Sequence, residues 1–222
     1  VHWEEIGDAL APDPFGPMFS GSAVVDVRNT SGFGAEGKPA QVLMYTAAGS
    51  PTVQCLGHST DGRTYTKYSG NPVLGEITPG NRDPKVLWHE PTGRWVMGLY
   101  VGQPGTPNER HTIQFFTSPD LKRWKQTSEI EGFFECPDFF ELPVEGASSE
   151  KHWVLTAASS DYVLGTCGGE RFTPTTSKLK GHQGRGFYAA QTFNDLPADD
   201  GRRIQMGWMQ APSPGMPFNQ AM

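Results

Sequence analysis

Two stretches of this chain repeat one pattern of residues. Ser59-Thr60-Asp61-Gly62-Arg63-Thr64-Tyr65 and Thr117-Ser118-Pro119-Asp120-Leu121-Lys122-Arg123-Trp124 each place a hydroxyl residue before an Asp, then a turn, then an aromatic three or four positions on. Val1-His2-Trp3 reads as the tail of an earlier copy, and Gly168-Gly169-Glu170-Arg171-Phe172 as a degenerate later one. The aromatics at 3, 65, 124 and 172 recur about every 50 to 60 residues, and repeats of about 40 to 50 residues built from four strands are the mark of propeller blades.

The residues between these marks supply the strands. One copy offers Ser22 to Val27, Gln41 to Tyr45, Thr52 to Gly57 and Thr64 to Tyr68; the next offers Pro84 to Trp88, Trp95 to Val101, Thr112 to Thr117 and Trp124 to Gln126. Such runs are too short for helices, and no stretch of about 12 residues carries helical periodicity. The 27 glycines and 19 prolines are spread along the chain, as many short strands joined by turns require. A β-sandwich would show similar strand spacing; the repeat favours the propeller.

In a propeller the first strand of each blade lines a central channel, and ligands bind at its mouth. The repeat makes Phe19-Ser20-Gly21-Ser22, Arg82-Asp83-Pro84-Lys85, Phe134-Glu135-Cys136-Pro137-Asp138 and Phe187-Tyr188-Ala189-Ala190-Gln191 the first-strand segments. Asp83 and Glu135 then come from equivalent points of neighbouring blades, and two carboxylates facing one cavity are the minimum equipment for glycoside hydrolysis. The segment Phe133 to Leu142 sets three carboxylates and a thiol among four phenylalanines. A carboxylate among apolar groups is costly unless paired, bonded or protonated, and a neutral Glu is what a general acid needs. Each feature also has a plain structural reading. The Phe-rich segment could be a strand with its acids in solvent, Asp83 a turn residue before Pro84, and Arg82 a surface charge.

Other chemistries find little support. A net charge of −6 without a basic cluster argues against nucleic acid and anionic membranes as partners, and no apolar run approaches the roughly 18 residues of a membrane span. Val1-His2-Trp3-Glu4-Glu5 does not form a signal peptide. Cys55, Cys136 and Cys167 are too few and scattered for a disulfide framework or a zinc motif, and the six histidines show no metal-ligand spacing; no metal or cofactor is expected. Gly32-Phe33-Gly34-Ala35-Glu36-Gly37 fits the dinucleotide fingerprint by letter. That fingerprint needs a following helix, whereas Lys38-Pro39 and the strand-like Gln41 to Tyr45 follow here, so a hairpin loop is expected.

With these residues in hand, the chain resembles glycoside hydrolase family 32, the β-fructofuranosidases that include invertases, levanases and exo-inulinases. The resemblance is carried by Phe19-Ser20-Gly21-Ser22-Ala23, Arg82-Asp83-Pro84-Lys85-Val86, Phe134-Glu135-Cys136-Pro137-Asp138, Phe187-Tyr188-Ala189-Ala190-Gln191-Thr192-Phe193 and Gly207-Trp208-Met209. His2-Trp3-Glu4 is similar to the end of the family's first blade, and Pro217-Phe218-Asn219-Gln220 to a segment of its fifth. The resemblance implies an all-β, five-bladed β-propeller, incomplete at both ends. Most of blade one, the end of blade five and any C-terminal β-sandwich would be missing. Residues 1–12 would end blade one, 18–75 form blade two, 80–130 blade three, 133–180 blade four, and 185–222 begin blade five.

It also implies roles. Glu135 would be the general acid/base, Asp83 would hold fructose hydroxyls and stabilise an oxocarbenium-like transition state, and Arg82 would pair with the carboxylates. Phe19, Ser20, Cys136 and Trp208 would line the fructose pocket, with core packing as the plainer reading, above all for Phe19 and Cys136. The partner would be a fructose-containing oligo- or polysaccharide. The resemblance favours a secreted or periplasmic location over a cytoplasmic one, which other members of such a family have, and leaves the location open. The family nucleophile lies in an Asn-Asp-Pro-Asn segment that these residues do not contain, so the 222 residues alone are expected to show little or no hydrolase activity. Gly181 to Gly186 also departs from the family pattern, which leaves the distal sugar contacts open. The alternatives are a non-catalytic carbohydrate-binding propeller and an arabinanase-like propeller glycosidase; the Glu-Cys-Pro motif weighs against the latter.

Overall fold

The alternating runs fold into consecutive antiparallel sheets whose strands lie in chain order. The first sheet holds β1 (Met18–Asp26), β2 (Ala40–Ala47), β3 (Val53–Ser59) and β4 (Thr66–Lys67). The second holds β5 (Arg82–His89), β6 (Arg94–Gln103), β7 (Arg110–Ser118) and β8 (Lys125–Glu131). The third holds β9 (Asp138–Val144), β10 (Ala147–Thr156), β11 (Tyr162–Cys167) and β12 (Phe172–Pro174), and the fourth pairs β13 (Phe187–Thr192) with β14 (Gln205–Met209). This computed structural model describes residues 2, 4–103, 110–184, 186–197 and 199–210. Val1, Trp3, Arg185 and Pro217-Phe218-Asn219-Gln220, used in the sequence reading, lie outside them. Among the described residues the architecture is all-β, with one short 3-10 turn at Glu90–Thr92 and no helix long and apolar enough to cross a membrane.

β6 shows how neighbouring sheets share a core. Its residues alternate between two faces, as a strand requires. Trp95, Met97, Leu99 and Val101 join Val42, Met44, Leu56 and Val86 in one cluster. Val96 and Tyr100 join Phe115, Phe139, Leu155 and Val163 in another. A strand packed on both faces reads as a continuous apolar run rather than an alternation.

The repeated Ser/Asp pattern is the cap of the third-to-fourth strand turn. Asp61 Oδ1 accepts from Ser59 Oγ and from the Arg63 and Thr64 amides, each at 2.8 Å. Asp120 Oδ1 repeats this with Ser118 Oγ at 3.1 Å and the Lys122 and Arg123 amides at 3.1 and 3.0 Å. The backbone bonds to Asp61 hold its carboxyl well below the usual range. The aromatics that close the pattern pin the turn and precede the fourth strands: Tyr65 Oη donates to Gln41 at 2.8 Å and Trp124 Nε1 to the Leu121 carbonyl at 2.9 Å. The expected strands Thr64 to Tyr68 and Trp124 to Gln126 therefore shift, the first shrinking to Thr66–Lys67 and the second running Lys125–Glu131. The glycine-rich stretch between β1 and β2 is a tight turn, with Ala35 and Lys38 exchanging backbone bonds of 3.2 and 2.9 Å, and no helix follows it.

The four first strands stand side by side. Ser22 Oγ on β1 donates to the Pro84 carbonyl and accepts from the Val86 amide on β5, both at 2.9 Å. Lys85 on β5 meets Asp138 on β9 at 3.0 Å, and both side chains are sealed from solvent. Thr192 on β13 completes this layer: its amide donates to Asp138 Oδ2 at 2.6 Å and its carbonyl accepts from Lys85 Nζ at 2.6 Å. Further along, Asn194 Nδ2 donates to the Ala23 and Val86 carbonyls at 2.8 and 3.0 Å, and Asp195 accepts from the Val25 amide at 2.7 Å. Removing one partner of a buried ion pair strands the other charge, so Lys85→Met is expected to cost about 3 to 5 kcal/mol in a urea melt. A loss below about 1 kcal/mol would show that Asp138 does not need its cation.

Candidate active site

The chemistry gathers where the first strands break register. Pairing with the second strand shifts between Met18 and Gly21 on β1, between Arg82 and Lys85 on β5, and between Tyr188 and Gln191 on β13. A bulge re-aims side chains that a regular strand would alternate. Asp83 sits at φ 63°, Glu135 at 50°, Cys136 at 44° and Ala189 at 50°, so residues with a Cβ occupy left-handed backbone at equivalent points of three sheets. Such conformations cost about 1–3 kcal/mol each and cluster at functional sites.

The bulges on β5 and β13 and the bend that leads into β9 bring Arg82, Asp83, Glu135, Cys136 and Tyr188 together. The Arg82 guanidinium donates to Glu135 Oε1 from Nε at 3.0 Å and Nη2 at 2.5 Å, while Nη1 donates to the Gly80 carbonyl at 2.6 Å. Tyr188 Oη donates to Glu135 Oε2 at 2.5 Å, so both carboxylate oxygens are engaged from different first strands. Asp83 Oδ2 accepts from the Cys136 amide at 3.0 Å, with Cys136 Sγ at 3.5 Å. The two carboxylates are close enough for Glu135 to oppose ionisation of Asp83. Burial is the main force raising the Asp83 carboxyl above its usual range, against the pull of the Cys136 amide. Burial likewise raises the Cys136 thiol, and burial followed by the bond to Glu135 raises the Tyr188 phenol.

An aromatic shelf carries Arg82. Its guanidinium lies 4.7 Å from the Tyr100 ring centre and 5.8 Å from that of Phe134. Tyr100 Oη bonds His111 Nδ1 at 2.7 Å, and both rings meet Phe134 edge-on at 5.3 and 4.8 Å. Phe134 itself is 42 % exposed, so it walls the site more than it fills a core.

The remaining expected pocket residues are Phe19, Ser20 and Trp208. Ser22 bridges Pro84 and Val86, and Phe19 and Ser20 precede it on β1, within the segment where that strand breaks register. Phe19 is 55 % exposed among the described residues. Trp208 lies opposite Tyr188 in the β13–β14 register. Gly207 makes room for this pairing: a Cβ there would stand 2.3 Å from the Phe187 ring. Arg82 is no stray surface charge, since it is committed to Glu135. Tyr188 has no expected role among the first-strand residues; its signal is its place in their repeat, the last paired residue before the register shift, as Arg82 is on β5. The Tyr100–His111 pair left no such signal, because it lies on second and third strands.

A cavity of about 630 Å³ lies at the other end of the first strands, lined by Trp88, His89, Phe140, Trp153, Asp195 and Arg203 among others. Several of its polar groups are already satisfied: Trp88 Nε1 donates to Glu90 at 2.6 Å, and His89 Nδ1 bonds Thr92 at 2.8 Å. Among the described residues no three His, Cys, Asp or Glu side chains are grouped as metal ligands would be.

The sequence matches the family model "Glycosyl hydrolases family 32 N-terminal domain" over residues 1–220. It is 40 % identical to a levanase of Bacillus subtilis over 94 % of this chain and 33 % of the relative. It is 36 % identical to an extracellular exo-inulinase of Meyerozyma guilliermondii over 90 % of this chain and 42 % of the relative. Among solved structures, a β-fructofuranosidase of Schwanniomyces occidentalis complexed with fructosyl-erythritol superposes with a TM-score of 0.83 at 31 % identity, covering 95 % of this chain and 43 % of that one. Exo-inulinase from Aspergillus awamori gives 0.77 at 29 % identity, covering 91 % and 48 %. The chain thus spans about a third to a half of the length of the curated relatives it matches. Matched almost from end to end, and carrying an Arg-Asp-Pro bulge and a Glu-Cys-Pro segment that meet in one site, the chain belongs to glycosyl hydrolase family 32.

Proposed function

We propose that this chain forms the catalytic face of a glycosidase that releases fructose from β-fructosides such as sucrose, inulin or levan with retention of configuration. The observation that carries this is the convergence of two carboxyl groups, Glu135 held by Arg82 and Tyr188 and Asp83 on the adjoining bulge, close enough for one to oppose ionisation of the other. Relatives named levanase, exo-inulinase and β-fructofuranosidase support a fructoside substrate, and give the arabinanase-like alternative no support. The four sheets are read as successive blades, with extents 18–75, 80–130, 133–180 and 185–222.

Glu135 acts as the acid/base. Arg82 can only donate to Oε1, so the acid proton rides on Oε2, where the Tyr188 hydroxyl can turn to accept. That proton passes to the glycosidic oxygen as the bond to the anomeric carbon breaks; the resulting carboxylate later takes a proton from the water that attacks the same carbon. The nucleophile that carries the fructosyl group between these steps belongs to a segment these residues do not contain. Asp83 holds fructose hydroxyls and offsets the positive charge that develops on the ring. Arg82 fixes the Glu135 carboxyl in place, while Phe19, Ser20, Cys136 and Trp208 line the pocket around the sugar.

In the full-length protein, Glu135→Gln is expected to lower kcat on sucrose, a substrate with a poor leaving group, by about 10²–10⁴-fold. An unchanged rate would remove Glu135 from the acid role. Asp83→Asn separates a catalytic carboxylate from a turn residue by opposite signs. Burial raises the Asp83 carboxyl, so its favourable contribution is present below the unfolded-state value and is lost as pH rises through the folded one. At pH 7 the asparagine variant should therefore melt above the wild type, by a margin that shrinks on acidification, while turnover collapses. A variant that melts lower and turns over normally would reduce Asp83 to a turn residue.

A further inference from the structure

Asp83 is held from a neighbouring sheet. Its φ of 63° and the register shift between Arg82 and Lys85 turn its amide away from the β5–β6 ladder. A buried amide left without an acceptor costs about 1–3 kcal/mol. The acceptor is Thr46 Oγ1 on β2, at 3.1 Å. Thr46 donates its own hydroxyl proton to Gln54 Oε1 on β3 at 2.8 Å, and so presents a lone pair to Asp83. Gln54 Nε2 then donates to the Asn81 carbonyl at 3.3 Å.

One Thr–Gln pair therefore grips both peptide groups that flank Arg82. Thr46, Gln54 and Asn81 have no solvent exposure and Asp83 has 4 %, so no water competes for these bonds. Gln54 is itself anchored, because its amide donates to the Leu74 carbonyl at 2.8 Å and its carbonyl accepts from Val73 at 2.9 Å. Arg82 leaves this gripped segment to reach Glu135, and the Asp83 carboxyl leaves it to reach Cys136. The orientation of both groups is set by the angle of a bulge whose free ends are tied to β2 and β3.

We propose that Thr46 and Gln54 are positioning residues for the reaction, fixing the Arg82–Asp83 bulge so that the arginine fork and the aspartate face the same point as Glu135. The proposal rests on the reading of Asp83 and Glu135 as reaction residues. Thr46 alone separates positioning from packing, because Val keeps its shape without the hydroxyl and Ser keeps the hydroxyl without the methyl.

The test measures kcat, KM on sucrose and melting temperature for full-length Thr46→Val and Thr46→Ser, with Glu135→Gln as a control. Misplacement of a reacting group costs about 10- to 100-fold, so Thr46→Val should lose that much kcat with little change in KM, while Thr46→Ser retains wild-type kcat. Wild-type kcat in Thr46→Val, or an equal loss in both variants, overturns the proposal. If Thr46→Val does not fold while Thr46→Ser matches the wild type in stability and kcat, the hydroxyl serves folding and the proposal is likewise overturned. A Glu135→Gln control that retains turnover would instead refute the reading of the site.

Discussion

The Lys85–Asp138 ion pair sets the frame on which the site depends. Both side chains are excluded from water, where charges persist only with near-ideal partners. Asp138 receives the Lys85 ammonium and the Thr192 amide, and Lys85 also reaches the Thr192 carbonyl. Three first strands are tied at one height by groups that cannot slide without exposing an unpaired charge. Asp83 lies two residues before Lys85, Glu135 three before Asp138, and Tyr188 four before Thr192. Register at the buried layer therefore dictates register at the reactive one.

Above that layer the backbone is bent against its own preference. Asp83, Glu135, Cys136 and Ala189 adopt left-handed conformations without the freedom of glycine. Each is held by bonds across sheets: Asp83 by Thr46 and Cys136, Ala189 by the Ala158 carbonyl at 2.9 Å, and Glu135 by Arg82 and Tyr188. Cost and benefit are local and opposed here. Burial of Asp83 weakens the fold at neutral pH yet leaves a carboxyl group where a developing positive charge would be felt most strongly, away from bulk water.

Much of this was legible in the residues. The Ser/Asp/aromatic repeat pointed to sheets in series because the same turn must be capped each time, and Asp61 and Asp120 do this with matching bonds. The pairing of Asp83 with Glu135 followed from counting first strands. What remained hidden has physical reasons. Positive φ is foreseeable at Gly, but a left-handed backbone at Asp, Glu or Ala depends on tertiary bonds that no local pattern records. Lys85 and Asp138 read as ordinary charges, since a residue's partner on another sheet is invisible from its neighbours in sequence. Tyr188 and Trp208 share a strand pair that is separated by about twenty residues of chain.

The central claim is that the bulged ends of the first strands, and not the cavity beside Trp88 and Arg203, receive the sugar. A crystal structure of the full-length Glu135→Gln protein with a bound fructo-oligosaccharide tests it most directly. The account predicts a fructosyl unit hydrogen-bonded to Asp83, with its glycosidic oxygen facing residue 135. A sugar seated instead beside Trp88, His89 and Arg203, with Asp83 untouched, would contradict it.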